Sequence, residues 1–439
     1  MFKTLRDAFK IKDIRNKLFF TFLMLVVIRF GSQLPVPGVN REFFSNWFAS
    51  QQANGAFNFF SAFTGGSFER MSIFALNITP YITSSIIMQL LTIAIPKLEE
   101  MQRDGEDGRK KIRTITRYVT VGLALFESIA MTIGFGKSGL LQEVNFLSGL
   151  TVVVALTAGS AFLMWVGERI TEKGVGNGIS IVLMINILSR VPQDISTLFN
   201  TFVKGKTLAK GALASVIILA VIVVTIVLVI LLNSAIRKIP VQYAKKMQGR
   251  KLVGGQSTHI PLKVNTAGVI PVIFAGSLMS IPQMIVSFTG GGAGEGVGAT
   301  ILGMLNQNNW FNFQEPIYSV GLILYIVLII FFAYFYTSIT FNPIEVADNM
   351  KKQGGFIPGI RPGKPTTDFL NKILGYIVFI GAAGLTIVVL IPIFFNGVFG
   401  AYVSFGGTSI IIIVGVVLET IKQIESQMLV RNYKGFLSE

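Results

Sequence analysis

The 439-residue sequence has no cysteine and a single histidine, His259. The first absence excludes disulfides and thiolate chemistry. The second argues against a metal centre or a catalytic triad built on histidine. Charge is scarce as well: 14% of residues are charged against 51% hydrophobic, with a mean hydropathy of +0.64. A soluble globule is excluded on that balance. No Asp, Glu, Lys or Arg occurs in 71–96, 144–167, 211–236, 264–294, 316–344 or 373–418. A bilayer core takes roughly 20 apolar residues, so each run can cross once and the last one twice.

Ten spans result, at about 18–38, 71–95, 117–136, 147–168, 178–193, 212–233, 267–288, 316–338, 371–394 and 402–420. With the N-terminus inside, segments 1–17, 94–117, 167–178, 234–267, 341–372 and 422–439 hold 30 of the 38 lysines and arginines. The positive-inside rule therefore puts both termini in the cytoplasm. One outer segment breaks the bias, with Arg190, Lys204, Lys206 and Lys210.

The chain divides into a basic N-terminal helix (1–17), a first five-helix half (18–193), and an outer loop with the sixth span (194–233). A basic inner loop (234–267) leads to spans seven and eight (268–340). A second inner loop (341–372) precedes spans nine and ten (373–421) and a cytoplasmic tail (422–439). Lys3 to Lys17 ahead of an apolar run mimics a signal peptide, but no small-residue cleavage site follows. Residues 1–16 read as a helix in the inner interface, with Leu5 and Phe9 toward lipid.

Five spans per half force the second half to enter from the opposite side, so any repeat is inverted. Span two carries Pro80 and its counterpart, span seven, carries Pro271. Paired proline interruptions point to a central path, although proline is also common in membrane helices generally. Only Arg29 and Glu127 ionise well inside a span. They sit at similar depth and either pair or meet backbone and water. No proton relay or carboxylate cluster accompanies them, which argues against an ion-coupled transporter. An intramembrane enzyme lacks its catalytic set, and the Gly363-Lys-Pro stretch lacks P-loop spacing.

The two large inner loops carry more than a topology signal. Alternation around Ile239 to Tyr243 and His259 to Lys263 suggests a hairpin stem. The stretch KKQGGFIPGIRPGKP from Lys351 is punctuated into a stiff turn with Arg361 at its tip. Basic, structured loops suit docking to RNA or to an acidic protein face.

Several long motifs stand in order: RFGSQLPVPGV from Arg29, IFALNITPYITSSIIMQLL from Ile73 and WVGERITEKGVGNGIS from Trp165. After them come YAKKMQGRK from Tyr243, STHIPLKVNTAGVIPVIFAGS from Ser257, ADNMKKQGGFIPGIRPGKPT from Ala347 and FGGTSIIIIVGVVLE from Phe405. By these motifs the chain resembles the SecY family, the pore subunits of the general protein-translocation channel, over essentially its full length.

The resemblance implies an all-α polytopic membrane protein of ten transmembrane helices, in two inverted five-helix halves around an hourglass pore. It implies a protein-conducting channel without catalytic activity or cofactor. An apolar pore ring maps onto Ile78, Ile82, Ile179, Leu183, Ile273 and Ile412. A plug falls at 55–68, with Phe57, Asn58, Phe59, Phe60, Ser61, Ala62, Phe63 and Thr64; a plain interfacial aromatic segment is the alternative. A lateral gate between spans two and seven takes in Pro80, Ser84, Ser85, Gln89, Pro271, Phe274 and Ser277. Docking sites map onto Lys245, Lys246, Arg250, Lys251, Lys351, Lys352, Arg361 and Lys364. The partners implied are small SecE-type and SecG-type membrane subunits, the SecA motor ATPase, a translating ribosome through rRNA phosphates, a signal peptide or nascent chain, and the lipid bilayer. The expected location is the bacterial plasma membrane.

Overall fold

Where no water reaches the backbone, N–H and C=O groups must be satisfied within the segment, so long uncharged runs fold as helices. The computed structural model describes residues 2–53 and 64–435, apart from 137–138, 140, 142, 144, 206, 244–245, 249–250, 254–256, 290–296, 312–314 and 400–406. The helices of the first half are α1 (Phe2–Lys10), α2 (Lys12–Gly31), α3 (Arg41–Ala53), α4 (Thr79–Ala94), α5 (Pro96–Arg103), α6 (Glu106–Phe135), α7 (Phe146–Lys173) and α8 (Gly178–Phe202). Then come α9 (Leu208–Ser234), α10 (Ile270–Thr289), α11 (Val297–Leu305), α12 (Ser319–Thr340), α13 (Pro343–Lys352), α14 (Lys364–Phe399) and α15 (Gly407–Gly435).

A helix lies in each of the ten predicted stretches. Among the described residues, α6, α7, α8, α9, α12 and α14 are long and apolar enough to cross a membrane. The pair α4 and α5, bent by 106° at its break, makes a seventh if counted as one span. Helices α2, α10 and α15 occupy the remaining stretches.

Several boundaries differ from expectation. The first span begins at Lys12 and stops at Gly31, because Pro35 and Pro37 hold the following chain extended. Pro35 instead bridges to Ser72. Span two is helical only from Thr79. Pro80 sits in the first turn, where its missing N–H costs nothing, so it starts the helix rather than kinking it. Pro271 holds the matching place in α10. The basic N-terminal helix breaks at Ile11, so residues 12–16 belong to α2. Ala8 and Ile14 are buried against Val175 and Ile424, and Phe9 is exposed.

The two halves are visible in what packs on what. In the first half α4 packs on α6, α6 on α7, α7 on α8, and α2 on both α7 and α8. In the second half α10 packs on α12, α12 on α14, α14 on α15, and α9 on both α14 and α15. Each neighbour relation of spans one to five recurs among spans six to ten, as a repeated five-helix unit requires. The halves meet through α8 with α9 and α15, and through α6 with α10. Helix α2 packs on α7 and α8 rather than along α6, and among the described residues no ion pair joins Arg29 and Glu127.

The expected hairpin exists. Strand β1 (Ile236–Tyr243) pairs antiparallel with β4 (Ser257–Lys263), with Ile239 opposite Ile260 and Pro240 opposite His259. Between them β2 (Lys246–Gln248) pairs with β3 (Lys251–Val253). A short strand that no sequence pattern marks, β5 (Gly355–Phe356), adds to the free side of β1. The second inner loop is thereby stitched to the first. They share a core of Ile239, Val241, Leu262, Ala347, Met350 and Ile357, closed onto Leu370 of α14. Helix α13, in this unit, is fully specified locally. The Asn342 side chain accepts from the N–H groups of Ile344 (3.1 Å) and Glu345 (3.4 Å), Pro343 opens the helix, and Lys351 and Lys352 close it.

Candidate functional site

Helix α8 begins at an Asn177 cap, whose side chain accepts from the Ile179 (3.1 Å) and Ser180 (3.5 Å) N–H groups. From there Ile179, Leu183, Asn186 and Arg190 recur at offsets of 4, 7 and 11 residues. At 3.6 residues per turn these offsets lie near whole turns, so the four side chains share one face. Its inner part is apolar and its outer part polar.

The apolar part belongs to a single cluster with contributions from both halves. Ile78, Leu183, Ile273 and Ile412 are buried in it, and Ile82 and Ile179 pack against it. All six ring residues expected from the sequence are therefore in one place. Ile78 caps α4 and Ile82 lies one turn on; Ile273 is in the first turn of α10 and Ile412 is near the start of α15. The cluster continues into Ile28, Phe74, Leu163, Val166 and Ile170.

The polar part faces a folded, non-helical segment, residues 65–78. Met71 (φ 44°) and Asn77 (φ 53°) are the non-glycine residues with positive φ among those described; for asparagine this is tolerable, for methionine strained. The segment lies close on two helices. A Cβ on Gly159 of α7 would come within 1.8 Å of the Ile73 carbonyl oxygen. One on Gly65, itself at φ +61°, would come within 2.4 Å of the Asn186 carbonyl oxygen. Only glycine allows either approach. Asn186 Nδ2 donates to Asn77 Oδ1 at 2.9 Å, and Ser160 Oγ donates to the Asn77 carbonyl at 3.1 Å. Glu69 Oε2 lies 3.3 Å from Arg190 Nη1, and Asp194 Oδ1 lies 3.9 Å from Arg190 Nε. Arg190 is only 5% exposed.

Sequence reasoning met Arg190 only as an exception to charge bias. The signal that would have found its role was the helical offset from Ile179 and Leu183. Of the expected plug, Phe57, Asn58, Phe59, Phe60, Ser61, Ala62 and Phe63 lie outside the described residues, while Thr64 is buried.

The expected gate residues are bound mostly within their own halves. Ser84 Oγ donates to the Thr116 carbonyl of α6 at 3.0 Å. The Phe274 ring stacks on Phe332 of α12, with centroids 5.1 Å apart. Pro80 and Pro271 are buried, and Ser85, Gln89 and Ser277 are half-buried. Ile78 and Ile273, at the starts of spans two and seven, belong to the same cluster, whereas the extended contact on this side is α6 with α10.

On the inner loops Lys351, Lys352, Arg361 and Lys364 are exposed. The Arg361 turn is held by Thr366, whose hydroxyl donates to the Arg361 carbonyl at 2.8 Å. Lys246 and Lys251 lie in β2 and β3; Lys245 and Arg250 lie outside the described residues. No group of three or more potential metal ligands occurs among the described residues.

The family model for SecY matches residues 72–421. The protein translocase subunit SecY of Halalkalibacterium halodurans is 44% identical over 444 residues, and that of Bacillus subtilis 45% over 449, each alignment covering 100% of both chains. Among solved structures, one described as a protein conducting channel has a TM-score of 0.61 at 17% identity, covering 94% of this chain and 93% of its own. A second, described by a SecY plug domain that stabilises the closed state, has 0.61 at 19%, covering 94% and 92%. Sec61 in a canine ribosome-channel complex has 0.55 at 16%, covering 94% and 93%. At these identities the structural likeness is one of fold.

Proposed function

The chain belongs to the SecY family, and from that premise we propose that it is the channel through which unfolded secretory polypeptides cross the membrane. The observation that carries this reading is the single apolar cluster joining Ile78, Ile82, Ile179, Leu183, Ile273 and Ile412 from both halves. A ring of this kind offers water no hydrogen bonds, so ions face a desolvation barrier. It also makes no specific bonds, so it yields to any side chain that is pushed through.

In this reading the 55–68 region is the plug that keeps the channel sealed at rest. Transmembrane segments leave sideways through a seam that has α4 and α6 on one side and α10 on the other. The fused inner loops present Lys351, Lys352, Arg361 and Lys364, together with Lys245, Lys246, Arg250 and Lys251, to a ribosome or to a SecA-type motor. The chain itself performs no catalysis, and the driving energy comes from those partners. Small SecE-type and SecG-type helices complete the complex. The setting is a bacterial plasma membrane with both termini cytoplasmic, as the charge distribution requires.

The test is reconstitution. The chain with its small subunits in proteoliposomes, supplied with motor, ATP and a signal-bearing precursor, should carry that precursor to a protease-protected interior. Loss of protection on dissolving the vesicles, and none without ATP, completes the expected result. Assembled complexes that never protect the precursor would overturn the reading.

A further inference from the structure

We propose that Arg190, acting with Glu69 and the Asn77–Asn186 pair, is a latch that sets how weak a signal segment the channel accepts. The proposal rests on the channel reading above and adds to it a set of polar residues outside the ring, the plug and the gate.

The placement carries the inference. Ile179 and Leu183 contribute to the apolar cluster, and Asn186 and Arg190 continue the same face of α8. That outer continuation is covered by residues 65–78. Gly65 lies directly on the Asn186 backbone, Glu69 pairs with Arg190 at 3.3 Å, and Asn77 accepts from Asn186 at 2.9 Å. A polypeptide leaving the ring along this face of α8 must first displace the segment. Displacement takes away the nearer of the two carboxylates on the buried Arg190 guanidinium, Glu69 at 3.3 Å, and leaves only Asp194 of the same helix at 3.9 Å, so a charge-assisted contact is lost. The ion pair therefore adds to the closed side of the equilibrium alone.

The latch is also built to release. Among the described residues Asn186 Oδ1 has no hydrogen-bond partner, and Arg190 Nε has only Asp194 Oδ1 at 3.9 Å, so the contacts of the closed arrangement are not optimal. Opening then exchanges an imperfect set of contacts for hydrated ones. Whatever energy the latch contributes must be supplied by signal binding before the channel opens. Weakening it lowers that threshold and widens the range of accepted signals.

The experiment uses the reconstituted complex and two precursors that differ only in whether a charge interrupts the apolar run of the signal. The readout is the ratio of transport of the weakened precursor to the intact one. Glu69→Gln and Arg190→Gln should each raise that ratio by roughly tenfold, equivalent to about 1.4 kcal/mol. The double variant should do no more than Arg190→Gln alone, because that single variant already removes the Glu69–Arg190 pair, together with the contact to Asp194. Arg190→Lys keeps the charge and should stay near the wild-type ratio. Singles at the wild-type ratio, or a double whose effect is the product of the two, would overturn the latch. Should Arg190→Gln fail to assemble, Glu69→Gln decides, since that side chain is 26% exposed and changes only its charge. Ile412→Asn in the ring separates the two readings. A raised ratio there with unmoved latch variants strikes the latch alone, whereas a wild-type complex that transports no intact precursor strikes the channel reading itself.

Discussion

Tyr243 lies opposite Gly355 at the end of β1, and through that register the two basic inner loops become one folded unit. Gly355 has no room for a side chain: a Cβ there would stand 2.8 Å from Tyr243 Cε1 and 2.9 Å from Met350 Cγ. Gly355→Val should cost about 1–3 kcal/mol of local stability by overpacking. Hydrogen exchange in β1 should then quicken, and motor-driven transport should fall while resting ion conductance stays at the wild-type level. Unchanged exchange in β1 would mean that the two loops fold separately.

Arg361 stands exposed on the turn that this unit supports. Reversal to Glu removes an attraction to acidic protein or RNA phosphate and adds a repulsion, while no buried contact is lost. We expect Arg361→Glu to assemble normally and to lose most motor-driven transport. Against ribosomes, loss of one phosphate contact should reduce the salt slope of log K by about 0.7–0.9. Full transport by Arg361→Glu would remove this residue from the docking surface.

Ile412 is 2% exposed within the cluster that joins the two halves. Asn in its place brings hydrogen-bonding groups into the waist, which wets it and lowers the cost of opening. Resting conductance in planar bilayers should rise for Ile412→Asn, and deletion of residues 58–64 should act in the same direction. Ile412→Leu keeps volume and apolarity and should cost less than about 1.5 kcal/mol, with conductance near wild type. Equal conductance in all four proteins would show that these side chains are ordinary packing.

The seam can be tested cleanly because the chain has no cysteine. Cysteine pairs scanned between α10 and each of α4 and α6 should yield at least one disulfide. A disulfide requires Cα atoms roughly 4.4–6.8 Å apart, so the extended α6–α10 contact should supply the most efficient positions. Such a bridge should block transport, and reduction should restore it. Bridged protein that transports at the full rate would place the exit elsewhere.

Much of the site was legible because membrane folding leaves long-period marks in one dimension. Charge-free runs locate helices, and the bias of lysine and arginine orients them. The i, i+4 spacings at Ile78 and Ile82, and at Ile179 and Leu183, mark faces that the motifs then identify. Pro80 and Pro271 were seen as paired irregularities, but their meaning was not. In the sequence they read as interruptions of spanning helices, whereas the structure makes both of them helix starts. A proline's effect depends on where the helix begins, and for Pro80 the packing of the preceding residues decides that.

The sequence by itself determined the membrane class, the ten helical stretches, the charge bias between connecting segments and the apolar i, i+4 faces, since each follows from local composition and spacing. Only the tertiary structure decided which distant groups meet. Glu69 and Arg190 are separated by 121 residues, Asn77 and Asn186 by 109, and Tyr243 faces Gly355 in a different loop. A carboxylate or an amide carries no mark of its partner, because hydrogen bonds and ion pairs need only proximity and complementary sign. For the first two pairs that proximity is set by the close approach of residues 65–78 to α7 and α8, which Gly159 and Gly65, lacking Cβ atoms, allow. Arg190 therefore reads as a stray outer charge in the sequence and becomes a buried, paired one when the chain is folded.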